Sequence, residues 1–217
     1  MLCETPVVQT AEEAERMRHL LENGCKLTVA EQYTRYPVNS ALLRIIGSGV
    51  IGEAEYAFVS IAHEYHGAGL IRAFLGIGND VKYEVIRREF EFATTETKNR
   101  YETFTDGRVG MKKRTVALFE FDNEKAAIYD FDSEQYHSTI RANMLKIQGR
   151  RGEIQGGVVR FLDEKNEPHI EQLEVKSRVV HRESDNPNMR EICEIERILF
   201  RGEAVYEAPF GLCGLLM

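Results

Sequence analysis

Residues 60–76, Ser60-Ile61-Ala62-His63-Glu64-Tyr65-His66-Gly67-Ala68-Gly69-Leu70-Ile71-Arg72-Ala73-Phe74-Leu75-Gly76, are the stretch whose reading decides the fold. Before it, Glu53 to Ala62 alternates as a strand does; after it, Gly67 to Leu75 reads as a glycine-flanked helix. His63 and His66 fall at the handover. A strand end facing a helix start is where α/β proteins tend to place chemistry, because the first turn of a helix has free N–H groups.

Upstream, Leu2 to Val8 reads as a strand end and loop. Thr10 and Glu13 form a capping box for a helix from Ala11 to Asn23, with Ala14, Met17, Leu20 and Leu21 as its apolar stripe and Gly24 after its end. Leu27 to Gln32 follows as a strand, so the segment is one βαβ crossover, a unit that needs a larger parallel sheet to pack against. A second helix follows Pro37, carries Leu42, Leu43, Ile45 and Ile46, and stops at Gly47. Gly47-Ser48-Gly49-Val50-Ile51-Gly52 spells G-x-G-x-x-G, but a helix runs in and a strand runs out. A dinucleotide turn needs the opposite order, so this reads as a helix stop and turn.

Downstream the chain is strand-rich. Val81, Tyr83 and Val85 alternate with polar neighbours, and Thr115 to Phe121 with Lys125 to Phe131 reads as a hairpin around Asp122-Asn123-Glu124. Thr139 to Gln148, Glu153 to Leu162, Ile170 to Val180 and Cys193 to Phe200 read as further strands, with Glu96 to Lys113 and His181 to Arg190 as polar connections. The expected fold class is α+β: a large mixed, mainly antiparallel open sheet with helices on one face, preceded by a fragment of a Rossmann βαβ unit. The uncovered face is a natural surface for self-association, so a homo-oligomer is expected through it.

The totals narrow the function classes. With 217 residues, 43% hydrophobic and 29% charged, the composition is that of an ordinary globular chain. A net charge of −7 argues against a nucleic-acid-binding surface spread over the whole protein, and Lys112-Lys113-Arg114 reads as a solvated loop edge. No window is long and apolar enough for a membrane span, and glutamates occupy the first twenty residues, so cytoplasmic residence is the expectation. Cys3, Cys25, Cys193 and Cys213 are scattered without a C-x-x-C pair and read as free thiols. Pro209 to Met217 is apolar and reads as a tail on the sheet or the stump of a helix.

With these elements in place, the chain resembles the glucose-fructose oxidoreductase, inositol dehydrogenase and MocA (Gfo/Idh/MocA) group of NAD(P)-dependent sugar and polyol oxidoreductases. Leu2-Cys3-Glu4-Thr5-Pro6 is similar to the group's E-K-P motif, and Thr10, Glu12, Glu13 and Ala14 to its T-x-E-E-A helix. Ser48 to Glu53 is similar to the lead into its first C-terminal strand, His66 with Leu70, Leu75 and Gly76 to the helix that carries its catalytic histidine, and Gly149 to Glu153 to a G-x-x-G turn between late strands. The resemblance implies the C-terminal fold of that group, which is GAPDH-C-like, over residues 37–217, with residues 1–36 a remnant of the nucleotide-binding domain. It implies hydride transfer between NAD or NADP and a sugar or polyol as the parent reaction. It also implies His66 as the catalytic candidate, His63 as a weaker one, Glu4, Thr5 and Pro6 at the cofactor, and Glu31, Gln32, Tyr33 and Arg35 along the substrate cleft.

Several positions depart from the group. Thr5 stands where its lysine is, Ala62 and Gly69 where its aspartates flank the histidine, and the loop before the histidine segment is missing. The glycine-rich nucleotide half lies before Met1 by this alignment, so neither NAD nor NADP is expected to bind this chain alone and no dehydrogenase activity is expected of it. The alternative is a non-catalytic module for a small ligand or for dimerisation.

The residues themselves leave alternatives open. His66 can take a hydroxyl proton, or cap its helix and bond a backbone carbonyl. Glu64 is poorly placed for His63, because neighbours on a strand point to opposite faces. His63, Glu64 and His66 resemble a loose metal constellation with no third ligand fixed, and no metal is expected. Gly67-Ala68-Gly69 can offer N–H groups to an anion or sugar hydroxyl, or simply pack close. Tyr136 and His137 read as sheet surface.

Overall fold

The computed structural model describes residues 1–178 and 203–207. The expected strand at 193–200, the connection at 181–190 and the tail at 209–217 lie outside the described residues.

The chain opens with β1 (Leu2–Cys3), α1 (Ala11–Glu22) and β2 (Thr28–Val29), and β1 and β2 pair in parallel. The capping box forms as the sequence requires: Glu13 N–H donates to Thr10 Oγ1 at 3.2 Å, and Thr10 N–H donates back to the Glu13 carboxylate at 3.3 Å. No residue of α1 is buried, and Leu20 and Leu21 of its apolar stripe are exposed. A single 3₁₀ turn, Tyr33–Arg35, leads to α2 (Pro37–Gly47), which has proline at its first position.

From there β3 (Ala54–Ser60) leads into α3 (Glu64–Leu75), which ends on left-handed Gly76, φ 64°. The strands β4 (Tyr83–Thr95), β5 (Val109–Phe121) and β6 (Ala126–Asp132) follow, then a 3₁₀ turn at Ser133–Tyr136. Next come β7 (Met144–Gly149), β8 (Gly152–Gln155), β9 (Val158–Leu162) and β10 (Pro168–Gln172). β11 (Glu174–Arg178) and β12 (Glu203–Glu207) pair separately.

The main sheet runs β10-β9-β8-β7-β3-β6-β5-β4. Every neighbouring pair in it is antiparallel except β3 with β6. The fold is therefore α+β with a large, mostly antiparallel open sheet. α3 packs on β3 and β6, and α2 against α3. Ala57, Val59, Ala127 and Tyr129 face this layer and join Ile45, Leu70, Ile71, Phe74 and Leu75 in one core. On the other face, Phe58, Ile128, Leu118 and Ile86 are register partners in a row across four strands. No described helix is long and apolar enough to cross a membrane.

Several boundaries differ from the sequence reading: the strand expected over Leu27 to Gln32 is only Thr28–Val29, that expected from Thr139 starts at Met144, that expected from Ile170 is divided between β10 and β11, and three others differ as follows. Val109 to Lys113, expected as a connection, belongs to β5, which pairs with β4 over thirteen residue pairs. This ribbon runs out beyond the helices, so both of its faces meet water and charged cross-strand pairs such as Lys113–Glu89, 2.6 Å, replace apolar alternation. Glu153 to Leu162, expected as one strand, folds back at Gly156 and Gly157, whose φ values of 56° and 80° suit glycine. α3 starts at Glu64, a turn earlier than expected.

Candidate functional site

The start of α3 is fixed by Tyr129 of β6. Glu64 N–H donates to Tyr129 Oη at 2.7 Å, and Gly67 lies against the same ring. A Cβ at Gly67 would sit 2.4 Å from Tyr129 Cε2, so glycine is what lets the ring close on the helix. The close-packing alternative for Gly67 is the one seen. Burial raises the Tyr129 phenol to about 12, so it stays protonated at neutral pH.

His66 is thereby turned toward the segment after β2. Its Nδ1 lies 2.6 Å from Glu31 Oε2, and the other carboxylate oxygen, Oε1, accepts the Tyr33 N–H at 2.9 Å. Asn39 of α2 donates from Nδ2 to Tyr33 O at 2.8 Å, pinning that turn to the helical layer. Tyr33 and Tyr65 cover the imidazole, with ring centroids 4.4 Å and 4.3 Å from it, and His66 is only 6% exposed.

His63 occupies the cap position of α3 with extended backbone, and no side chain caps the helix. Tyr136, from the 3₁₀ turn after β6, lies over it: its Oη accepts the His63 backbone N–H at 2.9 Å and lies 2.5 Å from His63 Nδ1. Tyr33 Oη donates to Tyr136 Oη at 3.5 Å, and the two histidine rings are 4.8 Å apart, edge to face. The Tyr136 turn is anchored by Gln135, whose Nε2 donates to Ser60 O at 3.1 Å, Ser60 Oγ at 2.9 Å and Ala142 O at 3.2 Å.

The electrostatics sort these groups into roles. Burial, aided by Tyr136, pushes the Tyr33 phenol up, and burial with the Glu31 charge does the same for Tyr36. Both are hydrogen-bond donors at neutral pH and not bases. Burial, followed by the neighbouring His66, lowers His63 below the ordinary imidazole value, so His63 is neutral at pH 7.

The described residues therefore bring together Glu31, Tyr33, His63 and His66 of the sequence candidates. Gln32 and Arg35 flank the Tyr33 turn and are exposed, as are Glu4 and Pro6 in the loop after β1, where Thr5 is half-buried. Among the described residues no hydrogen bond links Glu4, Thr5 or Pro6 to either histidine. Glu64 points outward, 3.6 Å from Arg87. Tyr136, read from sequence as sheet surface, lies against His63, while among the described residues His137 reaches the histidines only through a tilted ring contact with Tyr136, centroids 6.1 Å apart. Glu31 supplies the carboxylate that Ala62 and Gly69 do not. Tyr136 is 73 residues from His63 and Glu31 is 35 from His66, separations that no local pattern encodes.

No group of three metal-ligating side chains occurs among the described residues. Nor does the G-x-G-x-x-G turn have the geometry of a dinucleotide turn. Gly47 to Gly52 joins the C-terminus of α2 to β3, and Ser48 N–H is spent on Arg44 O at 2.9 Å. Gly52 is closed over by Arg150 and Arg151, with its Cβ direction 3.1 Å from Arg151 N. No helix N-terminus faces these glycines, so they cannot cradle a pyrophosphate.

Comparison with known proteins gives matches of fold. No family model and no curated protein sequence matches the chain. An oxidoreductase from Agrobacterium radiobacter, solved with NAD+, L-tartaric acid and magnesium, has a TM-score of 0.55 at 18% identity, over 94% of this chain and 64% of that one. An NAD binding oxidoreductase from Klebsiella pneumoniae scores 0.49 at 15% identity, over 78% of this chain and 52% of that one. An inositol dehydrogenase homologue from Azotobacter vinelandii, solved with NADH and myo-inositol, scores 0.47 at 16% identity, over 78% and 48%. The fold likeness rests on the first of these. This chain spans less than two thirds of the length of each.

Proposed function

We propose that the chain is the substrate-handling α+β domain of an NAD(P)-dependent sugar or polyol oxidoreductase of the Gfo/Idh/MocA type. Residues 37–217 form the domain and residues 1–36 a remnant of the nucleotide-binding fold. The observation that carries this reading is the pairing of buried His66 with half-buried Glu31, 2.6 Å apart, at the end of the strand–helix handover. A carboxylate only accepts, so Glu31 holds the His66 proton on Nδ1 and leaves the Nε2 lone pair free to take a proton from a substrate hydroxyl. The carboxylate then faces the positive charge that the ring gains, a role that an orienting carboxylate plays beside other catalytic imidazoles. Cys3 and Cys25 are free thiols, which fits a reducing, cytoplasmic setting.

In this reading the nucleotide is held by residues other than those described, and the 217 residues alone bind neither NADH nor NADPH. Titration of the purified chain with each, followed by nicotinamide fluorescence, is expected to show no binding. Micromolar affinity for either would overturn this part of the reading.

The alternative, a module for dimerisation without catalysis, is favoured by the open sheet face, where Ile86 is 58% and Phe90 51% exposed. Both functions can reside in one chain. Self-association through this face predicts a dimer by sedimentation velocity and a monomer after Phe90→Glu; an unchanged sedimentation coefficient in that variant would remove the proposed surface.

A further inference from the structure

The two histidines are wired differently, and hydrogen-bond accounting fixes what each presents to a ligand. At His66 the partner of Nδ1 is a carboxylate, which has no proton to give, so the imidazole proton sits on Nδ1 and Nε2 carries a lone pair. At His63 the partner of Nδ1 is the Tyr136 hydroxyl, 2.5 Å away. That hydroxyl already accepts one bond from the His63 backbone N–H, a group that can only donate, and the Tyr33 hydroxyl is directed at it from 3.5 Å. A phenol oxygen has one proton to place, and its nearest acceptor is His63 Nδ1. The Tyr136 O–H therefore donates to Nδ1, and the His63 proton sits on Nε2.

Resting on the reading of the site as a polyol-oxidising one, we propose that Glu31 and Tyr136 lock His66 and His63 in opposite tautomers, so that a proton-accepting Nε2 and a proton-donating Nε2 select two neighbouring hydroxyls of one substrate. The hydroxyl to be oxidised donates to His66 Nε2. The oxygen of the adjacent hydroxyl accepts from His63 Nε2–H. The two rings stand edge to face with centroids 4.8 Å apart, a separation that a single small ligand can span. Tyr136 and Glu31 act through the imidazoles and are positioning residues. Neither Nε2 makes a hydrogen bond among the described residues, and the histidines are flanked by Tyr33 and Tyr65, whose ring faces suit the C–H surface of a polyol.

The test is nitrogen-resolved NMR on the full chain labelled with ¹⁵N-histidine at neutral pH. Long-range proton–nitrogen correlations are expected to show His66 as the Nδ1–H form and His63 as the Nε2–H form. In Tyr136→Phe, His63 is expected to lose its single tautomer while His66 keeps its own, and Glu31→Gln is expected to perturb His66 and leave His63 as it was. His63 found as the Nδ1–H form, or unmoved by Tyr136→Phe, would overturn the assignment. Titration then tests the diol: a vicinal cyclohexanediol is expected to shift both Nε2 signals and cyclohexanol that of His66 alone. If cyclohexanol shifts both, diol selection is wrong while the polyol reading stands. If neither compound shifts either signal, diol selection and the polyol reading fall together, and the tautomers remain judged by the unliganded spectra.

Discussion

Replacing Phe74 with alanine is expected to lower the stability of the chain by about 3–5 kcal/mol, the cost of emptying a well-packed aromatic site. Phe74 is 1% exposed and lies two turns beyond His66 on the same helix, in the layer that joins α3 to the sheet. Its loss removes apolar contact on both sides of that layer and leaves a hole that a sheet held by paired strands cannot close. Urea unfolding checks this: the midpoint should fall with the slope unchanged. A loss below about 1 kcal/mol would mean that α3 is not packed as described. Because α3 presents both histidines, the variant should also weaken the site without touching it chemically.

Gly152→Ala is expected to be nearly as damaging, at about 3 kcal/mol, the upper end of what overpacking typically costs. Gly149 and Gly152 are register partners closing the β7–β8 hairpin around Arg150 and Arg151. A Cβ on Gly152 would lie 2.2 Å from Arg160 O and 2.9 Å from Phe161 Cα, both backbone atoms of β9 that cannot swing aside. The strand would have to shift, breaking the pairing of Gly152 with Phe161. By contrast Gly69 lies inside α3 with open space where a Cβ would go, so Gly69→Ala is expected to raise stability by about 0.5–1 kcal/mol in the same unfolding assay.

Local features of this fold were legible where a short stretch of chain determines them. Thr10 and Glu13 cap α1, Pro37 starts α2 and Gly76 ends α3, each through contacts made within a turn or two of the residue concerned. The order of the sheet was not legible, because β3 lies between β6 and β7 and periodicity does not say which strand a strand will pair with. The β4–β5 ribbon was cut short for a related reason: beyond the helices it has no buried face, so its charged residues read as a connection. At the site, His63 and His66 stood out by their place at a strand–helix handover, and Glu31 and Tyr33 only through the family resemblance, which implies a substrate cleft at that strand end. The pairing of Glu31 with His66 and the placing of Tyr136 on His63 depend on how distant segments fold together. Tyr136 reads as sheet surface because it lies before an expected strand, and it is 36% exposed; what marks it is its hydroxyl, directed at a histidine that the sequence places far away.

The central claim is that His66, held by Glu31, meets the hydroxyl of a sugar or polyol. The most direct measurement is titration of the full chain with myo-inositol while the ring signals of His66 are followed by proton–carbon NMR, in the unaltered protein and in Glu31→Gln. A saturable shift of the His66 signals that Glu31→Gln weakens markedly is the result this account predicts. His66 signals that stay still as myo-inositol and other polyols are added, or that respond equally in both proteins, would contradict it.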